Sequence, residues 1–140
     1  MKALYLESSA ALAWLFGETT ASDVIKGMDT AAIVVTSQLT IVEIQRAIHR
    51  AVALKSIKEA SAQKLRGPLA RERKKWITMG LTEDVLARAG AAFPVEPAKA
   101  LDAIHLATAL AFSETFPDLA VLALDRRITD NATALGLVSA

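Results

Sequence analysis

The sequence contains no cysteine among its 140 residues, which excludes disulfide bonds, zinc–thiolate sites and thiol nucleophiles. Aromatic residues make up only 5% of the chain, so the core must consist mostly of Ala, Leu, Ile and Val. No apolar run approaches the roughly 18 residues of a membrane-spanning helix, and His105 interrupts the apolar stretch 103–112. Glu7 comes too early for a signal peptide, and we expect a cytoplasmic protein without membrane contact.

The composition that remains is that of one packed domain. Apolar residues account for 53% of the chain and charged residues for 22%, values typical of a globule rather than a disordered segment. A chain of this length can bury a core of its own, and it contains no repeat, low-complexity tract or interdomain linker. We therefore predict a single domain over residues 1–140.

The net charge of +1 conceals an uneven distribution. Residues 44–75 contain ten Lys and Arg but only two Glu, a local charge of +8, whereas the rest of the chain carries −7. A basic surface attracts phosphate backbones, although a charge run is more often a solvated helix face. The segment Arg46 to Lys75 is therefore a candidate surface for RNA or for a protein partner.

Short apolar runs alternate with amphipathic segments along the chain. The runs predict strands at 3–6, 33–35 and 119–124, with shorter ones at 76–79 and 137–138. Helices are predicted over 10–16, with Ser8 or Ser9 as N-cap, and from 20 or 22 onward, with Val24, Ile25 and Met28 on the inner face. Further helices are predicted from 36 or 37 through 51, and over 56–75, 82–92, 100–112 and 126–135. This alternation predicts an α/β fold with a mostly parallel sheet covered on both faces.

Four acidic residues stand out against this pattern. Glu7 and Asp125 directly follow predicted strands, where functional residues of parallel sheets collect. Glu43 and Asp102 lie in helices among apolar neighbours. Each has an ordinary explanation taken singly: Asp102 and Asp125 could be helix N-caps, Glu43 a helix-surface residue and Glu7 the end of a strand.

Together, the four acids indicate a metal centre. Converging carboxylates repel each other, and a bound cation removes that cost. Oxygen-only ligands select hard ions such as Mg²⁺ or Mn²⁺. Such an ion activates water and stabilises phosphoryl oxygens, so the reaction class that fits is phosphodiester hydrolysis.

The sequence resembles the PIN-domain family, and within it the VapC-type toxin ribonucleases. The resemblance rests on segments 4–12, 37–47, 101–109, 124–127 and 134–137, which occur in the family's order. The most specific is Asp-Ala-Ile-His-Leu-Ala-Thr-Ala at 102–109. The resemblance to this family implies a three-layer α/β/α fold and Mg²⁺- or Mn²⁺-dependent cleavage of tRNA or rRNA. It also implies a homodimer and inhibition by a cognate antitoxin.

Carried over by position, the resemblance implies a site of four metal ligands and one hydroxyl. Its residues are Glu7, Glu43, Asp102 and Asp125, with Ser9 near the metal and its water. Asp130 lies near a further polar position of some members, and His105 matches a position of the family pattern that has no assigned catalytic role. For His105 we favour packing over a role as general base.

One position departs from the family, which has aspartate where this chain has Glu7. The extra methylene moves the carboxylate, and Mg²⁺ requires near-octahedral geometry. A second hypothesis is therefore a catalytically weakened PIN-like domain that binds RNA or protein. A third, a receiver-like signalling domain, is disfavoured because paired acids near residue 7 and a strand-end lysine are missing.

Overall fold

The aliphatic and β-branched runs form one five-stranded sheet in the computed structural model, which describes residues 2–140. The strands are β1 (Ala3–Leu6), β2 (Ile33–Ser37), β3 (Ile77–Met79), β4 (Ala120–Leu122) and β5 (Val138–Ser139). Their order in the sheet is β3-β2-β1-β4-β5, and every neighbouring pair is parallel. The central strand β1 aligns Tyr5 with Val35 on one side and with Val121 on the other.

Within residues 2–140, seven helices cover the two faces of this sheet. They are α1 (Ser8–Leu15), α2 (Ala21–Thr30), α3 (Gln38–Ala53), α4 (Glu59–Arg73), α5 (Glu83–Ala89), α6 (Ala100–Thr115) and α7 (Arg126–Ala134). Alternate side chains of β1 point to opposite faces: Leu4 and Leu6 pack with α1 to α4, while Ala3 and Tyr5 pack with α6 and α7. The predicted three-layer α/β/α fold is confirmed.

Most predicted element positions agree with the structure, including strand β3 and the turn glycines. Gly17 and Gly136 follow the ends of α1 and α7 with φ values of 65° and 83°, a conformation that glycine adopts without strain. Helix α4 continues through Gly67 and contains Pro68. Among residues 2–140, no helix has the length and apolar character needed to cross a bilayer.

Three details of the sequence prediction are wrong. Helix α1 begins at Ser8 and is capped by Glu7, so neither Ser8 nor Ser9 is its N-cap. Ile25 is 41% exposed rather than on the inner face of α2, because Val24 and Met28 already fill that face. Strand β4 ends at Leu122, so Asp125 follows it only after a short loop.

Candidate active site

Glu7 directly follows the central strand β1 and is almost completely buried, with 5% of its surface exposed. Its Oε2 accepts hydrogen bonds from the Ser9 amide at 2.9 Å and from the Ser9 hydroxyl. Burial raises the pKa of Glu7, and neighbouring Glu43 adds to the rise, while the Ser9 bonds and His105 oppose it. Glu7 is therefore the N-cap of α1. It is also one of the acids at the carboxyl edge of the sheet; this acidic edge comprises Glu7, Glu43, Asp102 and Asp125.

Ser9 joins two loops at this edge. Its hydroxyl donates to Glu7 and accepts from the Leu124 amide at 2.8 Å. The loop between β4 and α7, which carries Asp125, is thereby tied to the end of β1. Ser9 acts in the structure by fixing the relative positions of these two acids.

Glu43 faces the same edge from the second turn of α3. Its Oε1 accepts a hydrogen bond from the Ser8 hydroxyl at 2.6 Å and lies 2.6 Å from His105 Nε2. Burial alone would raise the pKa of Glu43, but the bonds from His105 and Ser8 outweigh it and lower the pKa overall. Glu43 is consequently held as a carboxylate rather than left on the helix surface.

His105 is buried, as expected, but it is surrounded by polar partners. Its Nδ1 lies 2.9 Å from the Tyr5 hydroxyl, and its Nε2 contacts Glu43 and lies 2.9 Å from the Ser8 hydroxyl. Burial raises the pKa of Tyr5 well above its ordinary value, so its hydroxyl keeps the proton and can donate it to Nδ1. With Nδ1 as the acceptor, the imidazole proton is on Nε2 and is donated to the Glu43 carboxylate. This hydrogen bond lets His105 orient Glu43.

Asp102 and Asp125 flank the guanidinium of Arg127. Asp125 is the N-cap of α7, and its two oxygens accept from Arg127 Nε at 3.3 Å and Nη2 at 3.0 Å. Arg127 Nε lies 3.8 Å from Asp102 Oδ2, a buried atom without a hydrogen-bond partner among residues 2–140. Asp102 lies in the first turn of α6, whose N-cap is Lys99, so the N-cap explanation for Asp102 is wrong.

The two aspartates have opposite pKa shifts. Burial raises the pKa of Asp102, and nearby Asp125 and Glu43 reinforce the rise, while Arg127 offsets part of it. The hydrogen bond from Arg127 lowers the pKa of Asp125. The carboxylate of Asp102 is therefore the one that gains most from an additional cation.

The four predicted acids are electrostatic neighbours at one edge of the sheet, arranged as two pairs. Glu7 and Glu43 share His105, whose Nε2 lies 3.9 Å and 2.6 Å from their respective Oε1 atoms. Asp102 and Asp125 share Arg127. Within residues 2–140, no three Asp, Glu or His side chains are already arranged to hold one metal ion.

The donor chemistry nevertheless fits a hard divalent cation. All four acids offer oxygen ligands, Asp102 has a buried oxygen without a hydrogen bond, and burial raises the pKa of both Glu7 and Asp102. A cation between these groups would remove the cost of ionising them. Asp130, by contrast, lies on the exposed side of α7.

Two adjoining grooves run along α3, and one of them reaches the acidic edge at Glu43. The first, with a volume of about 740 Å³, includes Glu43 in its wall together with Leu39, Leu101 and Arg50. The second, of about 510 Å³, lies between α3 and α4 and is lined by Arg66 and Arg73. The residues shared by both grooves are Val42, Arg46 and His49. The basic middle of the sequence thus meets the acidic edge at one surface.

Sequence reasoning overlooked three residues that organise the site: Tyr5, Ser8 and Arg127. In the sequence, Tyr5 has the pattern of a core residue of a strand. Its contact with His105 could not be predicted, because the fold alone brings the two residues together. Ser8 could have been suspected because it stands next to Glu7 in a resembling segment. Arg127, two residues after Asp125, gave a spacing that suits a local ion pair at a helix N-terminus.

Comparisons with known proteins agree with this architecture. The family model described as PIN domain matches residues 4–134. The crystal structure of Mycobacterium tuberculosis VapC20, described as a sarcin–ricin loop cleaving toxin, is similar with a TM-score of 0.67 and 14% identity over 98% of both chains. The structure of Rickettsia felis VapBC2 bound to a promoter DNA fragment is similar with a TM-score of 0.63 and 10% identity, over 99% of this chain and 97% of that one. No curated protein sequence gives a significant match.

Proposed function

The chain belongs to the PIN-domain family, and we propose that it is a metal-dependent endoribonuclease, the toxin of a toxin–antitoxin pair, acting on tRNA or rRNA. The observation that carries the proposal is the gathering of Glu7, Glu43, Asp102 and Asp125 at the carboxyl edge of a parallel sheet. The fold likeness to VapC20, which is described as cleaving the sarcin–ricin loop, supports RNA as the substrate class.

The four carboxylates would hold Mg²⁺ or Mn²⁺, which supplies Lewis-acid activation of water and charge neutralisation when bound. His105 and Ser8 hold the Glu43 carboxylate in one orientation. Ser9 holds Glu7 and the loop that precedes Asp125. These residues hold the ligands in place before the substrate arrives, which lowers the cost of reaching the reactive geometry.

The grooves along α3 offer the substrate a surface beside the acids. Arg46, Arg66 and Arg73 line the groove between α3 and α4; among the described residues no acid lines it, and the exposed Glu59 pairs with Arg66 at 3.0 Å from outside the lining. Guanidinium groups bind phosphate through paired hydrogen bonds, and phosphate contacts position a nucleic acid without reading its sequence. We therefore favour RNA over a solvated helix face as the use of the basic segment.

The proposal is tested by incubating purified protein with tRNA and rRNA in Mg²⁺ or Mn²⁺, and in EDTA. Cleavage is expected only with the metal. Asp102→Ala and Glu43→Ala should abolish it while leaving the circular dichroism spectrum unchanged. Asp84→Ala, at another aspartate in the first turn of a helix, is the matched control and should cleave normally. Equal cleavage by wild type and Asp102→Ala would overturn the assignment.

The second candidate is a binding module whose catalysis has been weakened by Glu7. It is favoured by the engagement of the Glu7 carboxylate with Ser9 as the cap of α1. Glu7→Asp discriminates between the two, because aspartate is also a good N-cap and the helix should persist. Cleavage by Glu7→Asp but not by wild type would establish the binding module.

A cognate antitoxin and a homodimeric state belong to the same proposal, as does a cytoplasmic location. The similar Rickettsia felis structure is a VapBC2 assembly with promoter DNA, which supports a protein partner. Light scattering of the purified chain is expected to give twice the mass of 14.9 kDa. Expression in bacteria should arrest growth for wild type and not for Asp102→Ala.

A further inference from the structure

Arg127 is a cation at the acidic edge to which the proposed function gives no role, and it contacts both aspartates. Its guanidinium makes two hydrogen bonds to Asp125 and lies 3.8 Å from the buried Oδ2 of Asp102. These are two of the four carboxylates proposed to hold the metal. Arg127 therefore occupies the space between two ligands rather than a position beside them.

The position of Arg127 is explained by these acids and not by its helix. Arg127 lies in the first turn of α7, where the partial positive charge of the helix N-terminus disfavours a cation. Its side chain is 56% exposed, so packing contributes little to holding it over the aspartates. The attraction of Asp125 and Asp102 is what holds the guanidinium there.

The single positive charge of Arg127 neutralises the two carboxylate charges of Asp102 and Asp125 only in part. Asp102 Oδ2 has no hydrogen bond within the described part of the chain, although Arg127 is close. A divalent cation brings twice the charge and can contact the oxygens directly at 2.0–2.1 Å in the case of Mg²⁺. The guanidinium and the ion are alternatives, because both require the same carboxylate oxygens.

We propose that Arg127 is a built-in competitor of the divalent cation: it neutralises Asp102 and Asp125 until the ion displaces it, and so sets the metal concentration at which the site fills. The inference rests on the proposed function, since it takes the metal ion from there. Displacement is inexpensive because the half-exposed guanidinium can turn into solvent, and exposed ion pairs are weak.

The test is the Mn²⁺ dissociation constant of purified protein, measured by titration calorimetry and by electron paramagnetic resonance without RNA. Arg127→Ala and Arg127→Gln are expected to bind Mn²⁺ about two- to fivefold more tightly than wild type. Arg126→Ala is the matched control: it removes the same charge from the preceding residue, which is exposed, and should leave the constant unchanged.

The melting temperature provides a second measurement on the same proteins. In EDTA, Arg127→Gln should melt below wild type because the two aspartates lose their counter-ion, and Mn²⁺ should raise its melting temperature by more than it raises that of wild type. Unchanged or weaker Mn²⁺ binding by both Arg127 variants would overturn the competitor role and mark Arg127 as a support for Asp125. Absence of Mn²⁺ binding in wild type would overturn the metal dependence of the proposed function as well.

Discussion

Asp102 and Glu43 are two acids at one edge whose environments act in opposite directions. Burial dominates at Asp102, where one oxygen has no hydrogen bond, and the pKa is raised. At Glu43 burial is the largest single influence and opposes ionisation, but the hydrogen bonds from His105 and Ser8 together outweigh it, and the pKa is lowered. The charge of Asp102 therefore costs the fold stability, whereas the charge of Glu43 contributes to it.

Asp102→Asn should stabilise the protein in EDTA at neutral pH, on the order of 2 °C in melting temperature. A carboxyl group whose folded-state pKa is raised favours the fold while protonated, below its unfolded pKa, and this contribution is lost as the pH rises through the folded value. The neutral amide does not undergo that loss. Melting curves from about pH 4 to pH 7 should show the gap between variant and wild type widening as the pH rises.

Glu43→Gln should have the opposite effect at neutral pH. Because the folded-state pKa of Glu43 is lowered, its contribution is present above the unfolded pKa and is lost as the pH falls through the folded value. The variant should melt below wild type at pH 7 and approach it in acid. A stabilised Glu43→Gln at neutral pH would contradict the orientation of Glu43 by His105.

Tyr5→Phe tests the hydrogen bond at Nδ1 of His105, on the side of the ring opposite Glu43. The substitution removes the hydroxyl that lies 2.9 Å from His105 Nδ1 in a fully buried setting. An unsatisfied buried polar group costs about 1–3 kcal/mol, so urea denaturation should report a loss of that size. A neutral result would show that Nδ1 finds another partner.

At the level of elements, the sequence predicted where strands and helices lie better than how they begin. Periodicity located β1, β2 and α3, because core-facing positions repeat with the geometry of each element. The cap of α1 was missed because the side chains of three adjacent residues, Glu7, Ser8 and Ser9, can all accept a hydrogen bond from a backbone amide. Only the packing of Ser8 against Glu43 and His105 decides among them.

The groove between α3 and α4 gives a prediction at this scale. Arg66→Gln combined with Arg73→Gln should weaken RNA binding and reduce the slope of log affinity against log salt by about 2, because two phosphate contacts are lost. Fluorescence anisotropy in Ca²⁺ or EDTA separates binding from cleavage. Lys58→Gln combined with Lys64→Gln, from the same basic segment but outside the groove, is the charge-matched control. Equal slopes for the two double variants would mark the groove as a solvated face.

Across the whole molecule, the parallel sheet is what makes the site predictable. Its carboxyl edge gathers Glu7 and Asp125 from neighbouring strands, and α3 and α6 add Glu43 and Asp102. The division of the four into two pairs could not be predicted, because it depends on the side-chain directions of His105 and Arg127. The same topology brings the basic residues that line the grooves beside the acids. Opposite charges that are separate in the sequence therefore lie on one surface.

If the carboxyl edge of the sheet holds a divalent cation, Mn²⁺ binding must depend on the Asp102 carboxylate. The decisive measurement is the Mn²⁺ affinity of wild type and of Asp102→Asn, side by side with Asp84→Asn as control. Wild type and the control are expected to bind Mn²⁺ alike, and Asp102→Asn about tenfold more weakly or worse. Equal Mn²⁺ affinity of Asp102→Asn and wild type would rule out a cation held by Asp102 at this edge.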